Sequence, residues 1–210
     1  MIDPNARDRL DALLAQGGRR LLGIAGLPGA GKSTLTGWLL GALGARAVGV
    51  PMDGFHLANA ELARLGRDTR KGAPDTFDAA GYVALLRRLR SPVPGETVYA
   101  PAFHREFDEP IAGEIAVPAA VPLVITEGNY LLMDDGPWAG VRGLLDEVWF
   151  VDVDDAPRRA QLLERHMRYG RDRQAALDWI ERTDEPNARR IAATAHRADT
   201  RVRLDARSVP

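Results

Sequence analysis

The sequence predicts an α/β fold: a three-layer sandwich with a parallel sheet of about five strands, helices on both faces and a small helical lid. Three observations predict it. Short apolar runs begin near residues 21, 45, 121, 148 and 202. Stretches with helical spacing of apolar residues alternate with them almost throughout, an order that builds right-handed crossovers and parallel neighbours. A glycine-rich stretch, GLPGAGKS at 26–33, lies between the first apolar run and the helical pattern that follows.

The elements follow in chain order. Asp8–Gln16 is a short amphipathic helix with Leu10, Leu13 and Leu14 on one face, ended by Gly17-Gly18. Leu21–Ala25 is a buried strand. Ser33–Leu43 is a helix, spaced by Leu35, Trp38, Leu39 and Leu43. Ala45–Val50 is a second strand, stopped by Pro51, and Ala58–Leu65 is helical. Ala79–Arg90 is a helix with Tyr82, Leu85, Leu86 and Leu89 on one face, broken by SPVPGE. Val98–Phe103 is extended, and Ile111–Val117 is a short strand or irregular. Val121–Thr126 and Val148–Val153 are strands, each run ending on acidic residues. Helices follow over Ala156–Arg168 and Arg171–Thr183. Pro186 suits the first turn of a third, running to about His196. Val202–Leu204 supplies the last strand.

A chain of 210 residues fits one domain over 1–210, with the lid near 164–175 inside it. The net charge of −1 argues against a nucleic-acid backbone as the main partner. There is no cysteine, which removes thiolate chemistry and a disulfide framework. The polar N-terminus is not a signal peptide, and no run approaches the roughly 18 apolar residues of a membrane span. The expected location is the cytoplasm. Apolar helix faces suit either the core or a homodimer.

In a parallel sheet, ligands bind beyond the carboxyl ends of the strands. The residues standing there are Gly26–Ser33, Asp53–His56, Glu127–Asn129 and Asp152–Asp154. GLPGAGKS fits G-x-x-x-x-G-K-[ST], the P-loop pattern. Gly26, Leu27, Pro28, Gly29, Ala30 and Gly31 would wrap backbone N–H groups around a phosphate. Lys32 would reach the β- and γ-phosphates of a nucleotide. Ser33 would ligate Mg²⁺, and Thr34 continues the helix whose positive end faces the anion.

Asp53, in MDGFH, would accept or orient the proton of an acceptor hydroxyl; its alternative is a plain Asp-Gly turn. His56 would contact substrate or pack locally. Lys71 and Asp78, in RKGAPDTFD, would contact substrate; Asp78 also suits the cap of the helix from Ala79. Tyr99, His104 and Arg105, in YAPAFHREFDEP, give aromatics and a cation suited to a small-molecule pocket. Glu127 would hold a Mg²⁺-bound water or orient the acceptor, while Asp152 and Asp154 would cap the helix from Ala156. In ERHMRYGRDRQ at 164–174, arginines would close over the phosphates as a lid.

These elements in this order resemble the phosphoribulokinase/uridine kinase group of P-loop kinases. The matching stretches are GLPGAGKS, MDGFH, KGAPDTFD, VITEG, FVDVD and RYGRD, spread over about Leu21–Leu204. MDGFH and KGAPDTFD look closer to bacterial pantothenate kinases, without the long N-terminal extension of those proteins. The chain is also similar to short bacterial nucleoside/nucleotide kinase family proteins, some labelled fructose-transport kinases. The resemblance implies ATP and Mg²⁺ as cofactors and a small-molecule hydroxyl acceptor: a nucleoside, a sugar or a pantothenate-like alcohol. It assigns Lys32 and Ser33 to Mg·ATP and Asp53 to the acceptor hydroxyl. Asp78 and the His104–Arg105 region fall to substrate, and Arg168, Arg171 and Arg173 to the lid. Two other readings compete: a P-loop NTPase switch with a protein partner, and a nucleic-acid-end kinase, which the near-neutral charge disfavours.

Overall fold

The computed structural model describes residues 4–204. Residues 1–3 and 205–210 of the expected domain lie outside the described residues. Five strands form one sheet: β1 (Arg20–Gly26), β2 (Ala47–Gly49), β5 (Leu123–Gly128), β6 (Glu147–Asp152) and β7 (Thr200–Arg203). Their order is β2-β5-β1-β6-β7, and every neighbouring pair is parallel. All five carboxyl ends therefore share one edge.

β1 is central, and its run LLGIA is buried on both faces, as a strand covered by helices on each side must be. Successive side chains feed opposite cores. Leu21 and Ala25 join a core with α4 (Ala79–Arg90) and α7 (Glu185–Thr194). Leu22 and Ile24 join the other, with α1 (Pro4–Ala15) and α2 (Lys32–Leu43). Each fully buried leucine in these layers contributes roughly 1.5–3 kcal/mol. Among the described residues, no helix is long and apolar enough to cross a membrane.

One feature settles an alternative that the sequence left open, and two depart from its expectation. Thr97–His104 (β3) and Glu109–Pro118 (β4) pair as an antiparallel hairpin that forms its own sheet, so the segment around residue 111 is a full strand. The hairpin leans on the loop after β2: a Cβ on Gly54 would lie 2.3 Å from the Pro101 carbonyl oxygen, so only glycine fits there. The expected pair of helices beyond Arg171 is one continuous run. It comprises α6 (Arg173–Trp179), a π turn (Ile180–Asp184) and α7. Pro186 has no N–H to give the carbonyl four residues back, and the wider turn falls directly before it. Asp154 stands at the N-cap of α5 (Asp155–Arg168), but its side chain makes no cap bond and pairs with Arg203 at 2.5 Å.

Candidate active site

A single cleft at the carboxyl edge gathers the loops after β1, β2 and β5, the hairpin tip and the α5–α7 segment. β1 runs out at Gly26 into the glycine loop. Gly29 and Gly31 have φ of 78° and 87°, and a Cβ on Gly29 would lie 2.8 Å from the Arg158 carbonyl oxygen. Larger residues at either position would strain the backbone, and one at Gly29 would also collide with α5. No side chain caps α2 at Gly31, so its first N–H groups stay available to an anion. Buried Arg158 bonds Glu185 at 2.7 Å and reaches the Pro28 carbonyl at 3.4 Å, holding the loop to α5 and α7.

Lys32 lies along this loop. Its Nζ donates to the carbonyls of Gly26 (3.0 Å) and Leu27 (2.9 Å) and to Asn129 Oδ1 (2.7 Å). Burial lowers its pKa to about 8, against the opposing pull of Glu127 and Asp53. Ser33 Oγ donates to Glu127 Oε1 at 2.8 Å, and Thr36 Oγ1 reaches the other carboxylate oxygen at 3.4 Å. Burial raises the Glu127 pKa, and the Ser33 bond partly offsets this. One hydroxyl beside one carboxylate at the P-loop fits Mg²⁺, which keeps waters and nucleotide phosphates as its other ligands. Among the described residues there is no cluster of three or more acidic, histidine or cysteine side chains for a protein-only metal cage.

Asp53 lies in the turn after β2, with Arg105 Nη2 3.1 Å from Oδ2. Burial pushes its carboxyl up, but His56, Arg105, Lys32 and Arg165 outweigh that and hold it below the ordinary carboxylate range. Asp53 is thus an ionised acceptor facing the P-loop lysine. His56 Nδ1 donates to the Asp53 carbonyl at 2.8 Å, and burial lowers the imidazole pKa against the opposing pull of Asp53. Its ring packs on Phe77 and Phe103, with centroids 4.0 and 4.6 Å away.

The remaining expected residues divide. Pro28, Ser33, Lys71, Arg105, Glu127 and Arg171 line the cleft. Tyr99, His104, Asp78, Arg168 and Arg173 do not. Val98 and Ala100 turn inward, so Tyr99 faces out and is 59% exposed. His104 is on the opposite strand face from Phe103 and Arg105; it bonds Glu114 at 2.6 Å and stacks on Phe107. Asp78 caps α4 through the Gly81 N–H at 2.8 Å. Arg168 is exposed and pairs with Glu164 one turn back at 2.7 Å. Arg173 opens α6 in solvent. The helix α5 instead sends Arg165 into the cleft.

Sequence reasoning assigned no role to Asn129, Asp108, His166, Trp179, Asp184 or Asn187, all of which line the cleft. Asn129 had a signal, since it follows the β5 run directly. Asp184 had none, because only the π turn aims it inward.

The phosphoribulokinase/uridine kinase family model matches residues 21–207. The chain belongs to that family. Protein YggC of Escherichia coli K12, itself uncharacterised, is 34% identical over 191 residues, spanning 89% of this chain and 78% of its own. A fission-yeast protein from Schizosaccharomyces pombe, provisionally named a uridine kinase, is 35% identical over 169 residues, spanning 76% of this chain and 72% of its own. A crystal structure from Silicibacter sp. TM1040, provisionally named a fructose transport system kinase, is 38% identical. It covers 94% of this chain and 96% of its own, with a TM-score of 0.84. The fold is the P-loop kinase fold of this family, and the chain is an ATP-using phosphotransferase with a hydroxyl group on a small molecule as acceptor.

Proposed function

We propose that the protein transfers the γ-phosphoryl group of ATP, with Mg²⁺, to a hydroxyl of a nucleoside, sugar or related metabolite in the cytoplasm. The observation that carries this is Asp53: an ionised carboxylate in the same cleft as the P-loop lysine, beside an open pocket. Asp53 receives or orients the acceptor hydroxyl proton while the oxygen attacks in line. Lys32 leaves its loop carbonyls for the phosphates. Ser33 and Glu127 would hold Mg²⁺, whose charge neutralises the phosphate oxygens. Residues 164–175 act as the lid, with Arg165 as the arginine that meets the transferring group; among the described residues it has no carboxylate partner. Arg171 stands further out, its guanidinium 3.9 Å over the Trp179 ring.

The test is an acceptor screen with Mg·ATP, read by ADP release and product mass, run beside Asp53→Asn. One phosphorylated product, lost in the variant while nucleotide still binds, supports the reading. Phosphate delivered only to water, at equal rates in both proteins, would overturn it in favour of an NTPase switch.

A further inference from the structure

Arg171 lines the cleft, and among the described residues it makes no ion pair with a carboxylate. Two contacts hold its guanidinium: the Trp179 ring at 3.9 Å and His166 Nδ1, 3.0 Å from Nη1. The end of α5 brings residue 171 back beside residue 166. Gly170, at φ 97°, reverses the helix, and the Arg171 backbone N–H then donates to the His166 carbonyl at 3.1 Å. An arginine only donates, so Nδ1 is the acceptor and His166 carries its proton on Nε2. That N–H donates to Asp184 Oδ2 at 2.7 Å, within a pair whose side chains are only 11% and 12% exposed. Trp179 ends α6 and Asp184 ends the π turn, so the two anchors bracket that turn.

We propose that His166 is a positioning residue: its neutral imidazole, fixed in one tautomer by Asp184, aims Arg171 at a phosphate oxygen of the bound nucleotide without cancelling its charge. This rests on the kinase reading above. Arg171 shares the cleft with the P-loop residues Pro28, Lys32 and Ser33. A carboxylate in the place of His166 would orient the guanidinium but also neutralise it, and an incoming anion would have to displace that partner. Arg105 is in that condition, since it meets the Asp53 carboxylate directly. The imidazole separates orientation from neutralisation. Nδ1 takes one N–H and sets the direction, while the other side-chain N–H groups of Arg171 make no hydrogen bond among the described residues. The Asp184 carboxylate bonds the far side of the ring, and the other cation that feels its charge is Arg165. The Trp179 face steadies the guanidinium and leaves its N–H edge for oxygen ligands.

The two ring nitrogens can be tested separately. In His166→Asn the side-chain oxygen stands near the place of Nδ1 and can accept from Arg171. In His166→Gln the amide stands near the place of Nε2 and keeps only Asp184. Calorimetry on the full chain with Mg²⁺ and a non-hydrolysable ATP analogue should give an affinity within about 2-fold of wild type for His166→Asn and a loss of about 10-fold for His166→Gln. Arg171→Gln should lose the same factor, and adding His166→Gln to it should cost nothing more. The inference is overturned if His166→Asn binds as weakly as His166→Gln, if His166→Gln binds like wild type, or if its loss persists in the Arg171→Gln background. Where a His166 variant fails to fold, wild type and Arg171→Gln decide through nitrogen NMR of the histidine rings at about pH 8. A His166 proton on Nε2 alone, with an Nδ1 signal that moves in Arg171→Gln as nucleotide affinity falls, supports the inference. A proton on Nδ1, or an Nδ1 signal indifferent to Arg171, overturns it. Phosphate delivered only to water in the acceptor screen ends the kinase reading, and the binding measurements still decide the role of His166.

Discussion

Ser33 and Glu127, 94 residues apart in the chain, meet hydroxyl to carboxylate at 2.8 Å. The parallel pairing of β1 with β5 brings them together, since both strands end at the same edge. In the proposed mechanism Glu127 would hold Mg²⁺ together with the Ser33 hydroxyl it bonds. Glu127→Gln should keep the fold and the neutral hydrogen bond while raising the Mg²⁺ needed for half-maximal activity by roughly 10–100-fold. A Mg²⁺ titration at fixed ATP reads this, and an unmoved midpoint would remove Glu127 from the metal site.

Lys32 gives a pH signature. Its folded pKa of about 8 lies below the ordinary 10.5. Between those values the unfolded chain holds a proton that the nucleotide-free protein has released, so stability rises with pH across that window. Bound phosphates favour the charged form and draw the proton back. Nucleotide binding at about pH 9 should therefore take up protons, giving calorimetric enthalpies that depend on the ionisation heat of the buffer. Enthalpies that are the same in every buffer would contradict a neutralised Lys32.

The two arginines of α5 should behave differently. Arg165 faces the cleft, and its pKa is lowered first by burial and then by Arg105. Arg165→Gln should lower kcat by about 10²–10³. Arg168→Gln breaks only an exposed pair with Glu164 and should leave kcat nearly unchanged. A large loss in Arg168→Gln, with Arg165→Gln active, would show that the lid rotates before chemistry.

Gly54 couples the hairpin to Asp53. Gly54→Ala places a methyl 2.3 Å from the Pro101 carbonyl oxygen. Either the hairpin or the Asp53 turn must shift, at a cost of about 1–3 kcal/mol. The variant should unfold at a lower temperature and lose kcat more than ATP affinity. Unaltered thermal unfolding would mean that the contact relaxes freely.

Much of the fold was legible in the sequence, because its strands are apolar runs of the right length and its loops carry distinctive chemistry. GLPGAGKS, Asp53 and Glu127 could be placed because a parallel sheet puts every strand end on one edge. The hairpin was harder: β4 reads EPIAGEIAVP, mostly exposed, and carries little apolar periodicity. Of the arginines expected in the lid, Arg171 lines the cleft while Arg168 and Arg173 stand outside it, and Arg165 lines it as well. Arg165 and Arg168 differ by less than one helical turn, and only the packing of α5 decides which faces inward. Tyr99 and His104 looked like pocket residues for the same reason, since strand alternation fixes faces only once the partner surface is known.

The π turn at Ile180–Asp184 makes this part of the chain sensitive to length in a way that side-chain substitutions would not expose. A π turn holds one residue more than an α turn in the same place. Deleting a residue there would let the helix run on as plain α, and everything after it would swing by roughly 100° about the axis. Asn187, Ala188 and Ile191, now buried, would rotate out of their places, and the helix would lose its seat on the core. Homologous chains that keep this architecture should therefore vary in composition across 180–184 while holding the count of residues constant.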